Sequence, residues 1–351
     1  MGWYPRISTG KLSFYRSIPK VELHRHLEGS LRIDTLMDVA KQHGLTIPFG
    51  QFHSLVQMQQ GDPLTFTNFL SKFQTLRMFY RSPEVIARIT REAIMDAASD
   101  GVRYMELRFT PVALSRMQGF SYGEVMDWVL HSAAEASRDF NLTTRLIVSV
   151  NRHEPPDLAE QVVRLAVDRM EKGIVGLDLA GNEVEYSALP FAGILKEAQQ
   201  SGLHLTIHAG EWSGAANVRE AIEVLNAERI GHGVRVMEDP TVVDLARERK
   251  AIFEVCVTSN YQSGVVPAGK THPMVEMVAA NLRTTINTDD PGISRITLTD
   301  EYKLVVEDLK LTPRMVMNQI LTAIQGAFLP DEERAALAAN VEPLLMLVFQ
   351  G

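Results

Sequence analysis

The chain has 351 residues, 45% of them apolar and 22% charged, with a formal net charge of −8 at pH 7. That balance suits a soluble globular protein and argues against a nucleic-acid or anionic-membrane surface, so a small molecule is the expected partner. The single cysteine, Cys256, cannot form an internal disulfide, and nothing requires an oxidising compartment.

In chain order, residues Met1 to Lys20 lack the apolar core and cleavage site of a signal peptide. No uninterrupted apolar stretch of about 18 residues is present to span a membrane. The expected location is cytoplasmic. The first strand is predicted over Val21–Leu27. A stretch of about 31–100 follows and reads as a helical insertion, with Phe66, Phe69, Leu70 and Phe73 at helical spacing. That stripe reads first as core and second as pocket. Within it, Glu84–Ser99 places Ile86, Ile89, Ala93 and Ala97 on one face.

Further strands are predicted over Val102–Phe109, Thr144–Val150, Ile174–Leu179, Leu203–His208, Arg229–His232, Ile252–Val257 and Thr284–Thr288. Helices alternate with them. Asp157–Lys172 points Leu158, Val162, Leu165 and Met170 inward, Pro190–Gln200 stops before Gly202, and Asp239-Pro240 opens another helix that runs to about Lys250. Two C-terminal helices are expected over Pro313–Phe328 and Pro330–Phe349. Eight strands alternating with helices imply parallel βαβ units, and eight units favour a closed (β/α)₈ TIM barrel. No Gly-x-Gly-x-x-Gly turn follows the first strand, which weakens a dinucleotide-binding sheet. The expectation is one domain, 1–351, with extra C-terminal helices.

In such barrels functional groups stand at the C-terminal strand ends. Those ends carry His24-Arg-His26, Asp178 to Glu183, His208 to Glu211, His232, Thr258-Ser-Asn260 and Asp289-Asp290. Period-two alternation points His24 and His26 to the same side of their strand. With His208 and Asp289 they make three histidines and a carboxylate, which suits Zn²⁺ with a position left for water. Glu211 would exchange protons if burial raised its pKa; the plainer reading is a charge that complements the next helix dipole. His232, between Gly231 and Gly233, reads as an electrostatic partner or base for the attacking water, or as a satisfied core histidine. Asp289-Asp290-Pro-Gly could also be a plain turn. Gly181 could offer its backbone N–H to a flat ligand, or serve as a loop glycine with positive φ.

Taken together, Pro19-Lys-Val-Glu-Leu-His24-Arg-His26-Leu-Glu-Gly29-Ser, Asp178-Leu-Ala-Gly181-Asn-Glu183, His208-Ala-Gly-Glu211, Gly231-His232-Gly233, Cys256-Val-Thr-Ser-Asn260 and Asn287-Thr-Asp289-Asp290-Pro291 resemble the adenosine deaminase family. The ordered match covers about Pro19 to Thr299. The resemblance implies a (β/α)₈ barrel, one Zn²⁺ per subunit, and hydrolytic deamination of a purine. It makes His24, His26, His208 and Asp289 the metal ligands. Glu211 would protonate purine N1, His232 would orient or deprotonate water, and Asp290 would bond N7 or the attacking hydroxyl. His26, Glu28 and Gly181 would contact substrate, with Phe69, Leu70 and Phe73 as an apolar lid. Cys256 reads as a buried strand residue.

Two positions depart from the family pattern. Many members carry Asp where Glu28 stands, near the ribose 5′ end, and Asp where Asn182 stands. The longer Glu28 resembles adenine-base deaminases, while Leu179-Ala-Gly181 resembles the nucleoside type. Adenosine or 2′-deoxyadenosine leads; free adenine, 5′-methylthioadenosine or aminodeoxyfutalosine follows. A binuclear amidohydrolase and a non-catalytic barrel are the competing classes. The first usually needs a modified lysine at the fourth strand end, where none stands, and the second should have lost a ligand or Glu211. The oligomeric state is left open.

Overall fold

A computed structural model describes residues 12–350. Eight parallel strands form one sheet in sequential order: β1 (Lys20–His26), β2 (Val102–Phe109), β3 (Thr143–Asn151), β4 (Ile174–Ala180), β5 (His204–Ala209), β6 (Arg229–His232), β7 (Ile252–Val255) and β8 (Arg283–Ile286). Among the described residues, two backbone hydrogen bonds close the seam between β8 and β1 near the C-terminal rim. His26 N–H donates to the Asp289 carbonyl at 2.8 Å, and Asp289 N–H donates to the His24 carbonyl at 3.0 Å. The result is the expected (β/α)₈ barrel, with its last stave stitched to its first by residues from the predicted site.

The helices form where sequence signals put them. Ser82 accepts from Val85 N–H and Pro83 opens the helix Pro83–Ser99. Thr297 and Asp300 make a reciprocal capping box at the start of Leu298–Glu307. Pro313–Gly326 packs across β8 and β1, covering the seam, and Asp331–Gln350 packs on that helix.

Four expectations need adjustment. The helix Pro83–Ser99 packs on β2 and on the helix Tyr122–Phe140, so it is a barrel helix. The insertion therefore narrows to the short helices between Ile33 and Phe79. The predicted helix Asp157–Lys172 ends at Val167, and its buried face is Ala159, Val162, Val163 and Ala166, with Leu158, Leu165 and Met170 at the margin. The seventh strand stops at Val255, so Cys256 is a buried residue capping the helix Val257–Gln262 and not a strand residue. The eighth stops at Ile286, and Asn287 and Thr288 lie beyond it.

The barrel interior is charged. Arg108 and Arg229, both fully buried, reach Glu254 from β2 and β6 at 2.8 and 2.6 Å. Arg108 also lies 3.3 Å from Asp178 on β4, and Thr206 on β5 donates to Glu254 at 3.0 Å. Buried charges persist only when paired and hydrogen-bonded. This network lies beneath the pocket with its charges paired, although Arg108 Nε and Nη1 and Arg229 Nε have no hydrogen-bond partner among the described residues.

Candidate active site

His24 and His26 sit two residues apart on β1 and project together, their ring centroids 5.2 Å apart. His208, at the end of β5, has its ring 4.7 Å from His24 and 5.4 Å from His26. Asp289 comes from the loop after β8 and places Oδ1 3.2 Å from His24 Nε2 and 3.3 Å from His26 Nε2. His232, closing β6, lies 4.9 Å from the His24 ring. His232 and Asp289 both hold left-handed backbone, φ 59° and 63°. That conformation costs a non-glycine residue on the order of 1 kcal/mol or more, and such strain gathers at functional sites.

Carboxylates behind the rings set their tautomers. Glu254 Oε2 lies 2.7 Å from His24 Nδ1, and Asp178 Oδ1 lies 2.8 Å from His208 Nδ1. Each Nδ1–H donates backwards, leaving Nε2 with a bare lone pair facing the centre. His24 Nε2 is buried and has no hydrogen-bond partner. Imidazole nitrogens gathered about a carboxylate oxygen at about 3 Å are the donor set of a divalent cation. His24, His208, His232 and Asp289 offer ligand atoms within 4.8 Å of one another. His26 stands just outside that tightest group and shares Asp289 Oδ1. The residues present therefore fit a metal ion.

The other predicted residues surround the same cavity. Its lining includes His26, Glu28, Phe69, Leu70, Phe73, Gly181, His208, Glu211, His232, Asp289 and Asp290. Glu211 is buried beside Asp289, Glu183 and Asp290; burial first, then those charges, push its pKa well above the usual carboxylate range. Its Oε1 lies 3.7 Å from His232 Nε2. Asp290 is likewise pushed up by burial and by Asp289, and its Oδ1 has no partner. Asp289 is held down: burial opposes ionisation, but His232, His24 and His26 outweigh it. Glu28 accepts from Thr110 N–H at 2.5 Å through Oε1, while its buried Oε2 has no partner. The stripe Phe69, Leu70 and Phe73 serves both readings: Phe69 is core, and all three wall the cavity.

Two glycines are required here. A Cβ on Gly29 would lie 1.8 Å from Asp290 Oδ1. Gly181 takes φ 95°, which L side chains rarely adopt. The glycines beside His232 do not make room for a ligand. A Cβ on Gly231 would press on His24 and His208, and one on Gly233 would strike Phe253.

Several site residues were given no role by the sequence. Glu183 clamps the Glu211 loop, its carboxylate accepting from the N–H groups of Gly210, Glu211, Trp212 and Ser213. Ser259 donates to Asp289 Oδ2 at 2.6 Å. Trp212 and Arg77 also line the cavity. An isolated charge in an apolar strand, as in Ile252-Phe-Glu254-Val255, was the available signal for Glu254.

The adenosine deaminase family profile matches residues 19–343. The chain belongs to the adenosine deaminase family. It is 33% identical over 333 residues to the adenosine deaminase of Yersinia pseudotuberculosis, covering 93% of this chain and 98% of that relative. Two solved structures carry the family's barrel. An amidohydrolase from Burkholderia ambifaria with bound zinc superposes with a TM-score of 0.89 at 26% identity, covering 98% of this chain and 95% of the other. The adenine deaminase of Arthrobacter aurescens superposes at 0.85 with 27% identity, covering 93% and 98%. Membership makes the chain a hydrolytic deaminase of the amidohydrolase type, as the sequence motifs implied. The end of β4 offers no lysine to bridge a second metal.

Proposed function

We propose that this deaminase acts on the adenine ring of a small molecule, adenosine or 2′-deoxyadenosine in the leading reading, with one Zn²⁺ per subunit held by His24, His26, His208 and Asp289. The observation that carries the proposal is the buried Glu211, its pKa pushed up by burial and by the carboxylates beside it, facing the same cavity as the histidine–aspartate cluster. Bound zinc would supply a water nucleophile at neutral pH by lowering its pKa to about 7.

The chain's own groups do the rest. Glu211 holds a proton and delivers it to purine N1, drawing electron density from C6 as water attacks there. His232 orients the attacking oxygen. Asp290 carries a proton that bonds ring N7, and Gly181 turns its backbone N–H toward N3. Phe69, Leu70 and Phe73 exclude water from the ring. The attacking water returns one proton to the Glu211 carboxylate, and the C6 hydroxyl proton passes to the amino nitrogen, so the C6–N bond breaks and ammonia leaves as the C6 carbonyl forms. We further propose a single domain and a cytoplasmic location. Among the described residues no helix is long and apolar enough to cross a membrane.

Arg77 favours a second reading of the substrate's far end. Its half-buried guanidinium lines the cavity beside Glu28 and His153, and it has no ion-pair or hydrogen-bond partner among the described residues. The nearby Glu154 is taken by Arg116 at 2.5 Å. An unpaired cation there suits an adenine nucleoside whose 5′ position carries an anion. AMP and aminodeoxyfutalosine have one; adenine and 5′-methylthioadenosine do not.

The test is ammonia release from adenosine, 2′-deoxyadenosine, adenine, AMP, 5′-methylthioadenosine and aminodeoxyfutalosine, run on the parent and on Arg77→Ala. Release from a nucleoside supports the leading reading, and release from adenine alone contradicts it. A loss of kcat/KM in Arg77→Ala confined to the anionic substrates supports the second reading. An equal effect on all substrates removes it.

A further inference from the structure

A line of buried hydrogen bonds runs from a backbone amide to His232. The Met274 N–H lies 3.0 Å from His272 Nδ1. His272 Nε2 lies 3.1 Å from Asn260 Oδ1, and Asn260 Nδ2 lies 3.1 Å from His232 Nδ1. His232 is 1% exposed, and Asn260 and His272 are not exposed at all. Asn260 rides on the helix Val257–Gln262, whose neighbouring Ser259 holds Asp289.

One end of this line has its hydrogen fixed by covalent structure. A backbone N–H donates and cannot accept. His272 Nδ1 must therefore be the acceptor, so the ring carries its proton on Nε2. That N–H needs an acceptor, and the facing atom is the amide oxygen of Asn260. The amide is thereby turned with its NH₂ toward His232. His232 Nδ1 must accept in turn, so it is bare, and the ring proton stands on Nε2. That nitrogen faces Glu211 Oε1 at 3.7 Å and Asp289 Oδ2 at 3.9 Å. Each assignment follows from the one before it, and the opposite orientation of any member would set two donors or two acceptors against each other in a dry site.

We infer that His272 and Asn260 are positioning residues that lock the tautomer of His232, so that it meets the attacking water as a hydrogen-bond donor through Nε2 and not as a bare-nitrogen base. The role rests on the proposal that His232 orients water; the tautomer itself does not depend on it. Burial alone pushes the His272 pKa down to about 3, in keeping with a neutral ring in the relay.

The test uses the full-length, zinc-loaded protein labelled with ¹⁵N-histidine, without substrate. The His232 resonances are those lost in His232→Gln. The expected spectrum shows Nδ1 unprotonated and Nε2 protonated; a protonated Nδ1 overturns the inference. Asn260→Asp replaces the donor with an acceptor and should move the proton to Nδ1. It should lower kcat about 100-fold, as outer-shell substitutions do, with zinc content and KM held within about two-fold. His272→Gln keeps an N–H toward Asn260 and should retain the parent tautomer, whereas His272→Phe removes it. If Asn260→Asp does not fold, the His272 pair decides: the same tautomer and kcat in both variants overturns the inference. Because the spectrum is read without substrate, it stands or falls separately from which adenine compound is deaminated.

Discussion

Arg108 and Glu254 form a fully buried ion pair, 2.8 Å between Nη2 and Oε2, and that same oxygen lies 2.7 Å from His24 Nδ1. The pair ties the barrel's charged interior to the orientation of a proposed metal ligand. Arg108 also reaches Asp178, the carboxylate behind His208. Arg108→Met would leave both carboxylates short of a cation in a dry interior. Removing one partner of a buried pair costs about 3–5 kcal/mol. Urea unfolding should show a loss of that order, and dialysis against chelator should strip metal faster than from the parent. An unchanged unfolding midpoint would show that Arg229 alone suffices for Glu254.

Glu211→Gln removes the transferable proton but keeps nearly the same shape and the Glu183 clamp on its backbone. Deamination should fall by about 10²–10⁴-fold, the range for loss of a general acid. Metal content by elemental analysis should match the parent. Deamination at the parent rate would refute the proton-transfer role.

Gly29→Ala is the smallest substitution that disturbs Asp290. A methyl group there would lie 1.8 Å from Asp290 Oδ1, so the carboxyl must move. Displacing a positioned group by about 1 Å can cost on the order of 100-fold in rate. Steady-state assays should show that loss while metal binding, carried by other side chains, is retained.

Lys20 supplies a pH signature away from the site. Its ammonium donates to the carbonyls of Arg16, Ile18 and Asp100, at the opposite end of β1 from His26. Burial first of all lowers its pKa to about 8 from 10.5. The folded state thus binds this proton less tightly than the unfolded chain. Below pH 8 both states are protonated and the penalty is constant; between pH 8 and 10.5 the unfolded chain alone keeps the proton, so stability rises with pH. The gain is about 3 kcal/mol from the shift in pKa. Relative to Lys20→Met, the parent should gain that amount across the window in urea titrations. A constant difference would contradict the shift.

The alternation of short apolar runs with amphipathic helices was enough to read the barrel, because a parallel strand covered on both faces needs a continuous apolar run. The proposed ligands stood out for a related reason: His24 and His26 share a face by period-two geometry, and His208 and Asp289 stand at the C-terminal end of β5 and just past that of β8. What stayed hidden depends on pairing across the barrel. Glu254 lies 230 residues from the His24 it orients, and Asp178 lies 30 from His208. No local pattern records such partners. His272 was equally silent, because its meaning comes from Met274 and Asn260 through loop geometry. The strand ends at Val255 and Ile286 were overrun because apolar or β-branched residues continue past them into the helix cap at Cys256 and the loop that carries Asp289.

The most direct test of the account is an anomalous-difference map from crystals of the protein grown with zinc. One peak per chain is expected, within bonding distance of His24 Nε2, His26, His208 and Asp289, and adjacent to Glu211. Two peaks bridged at the end of β4, or a single peak that none of these four residues touches, would contradict it.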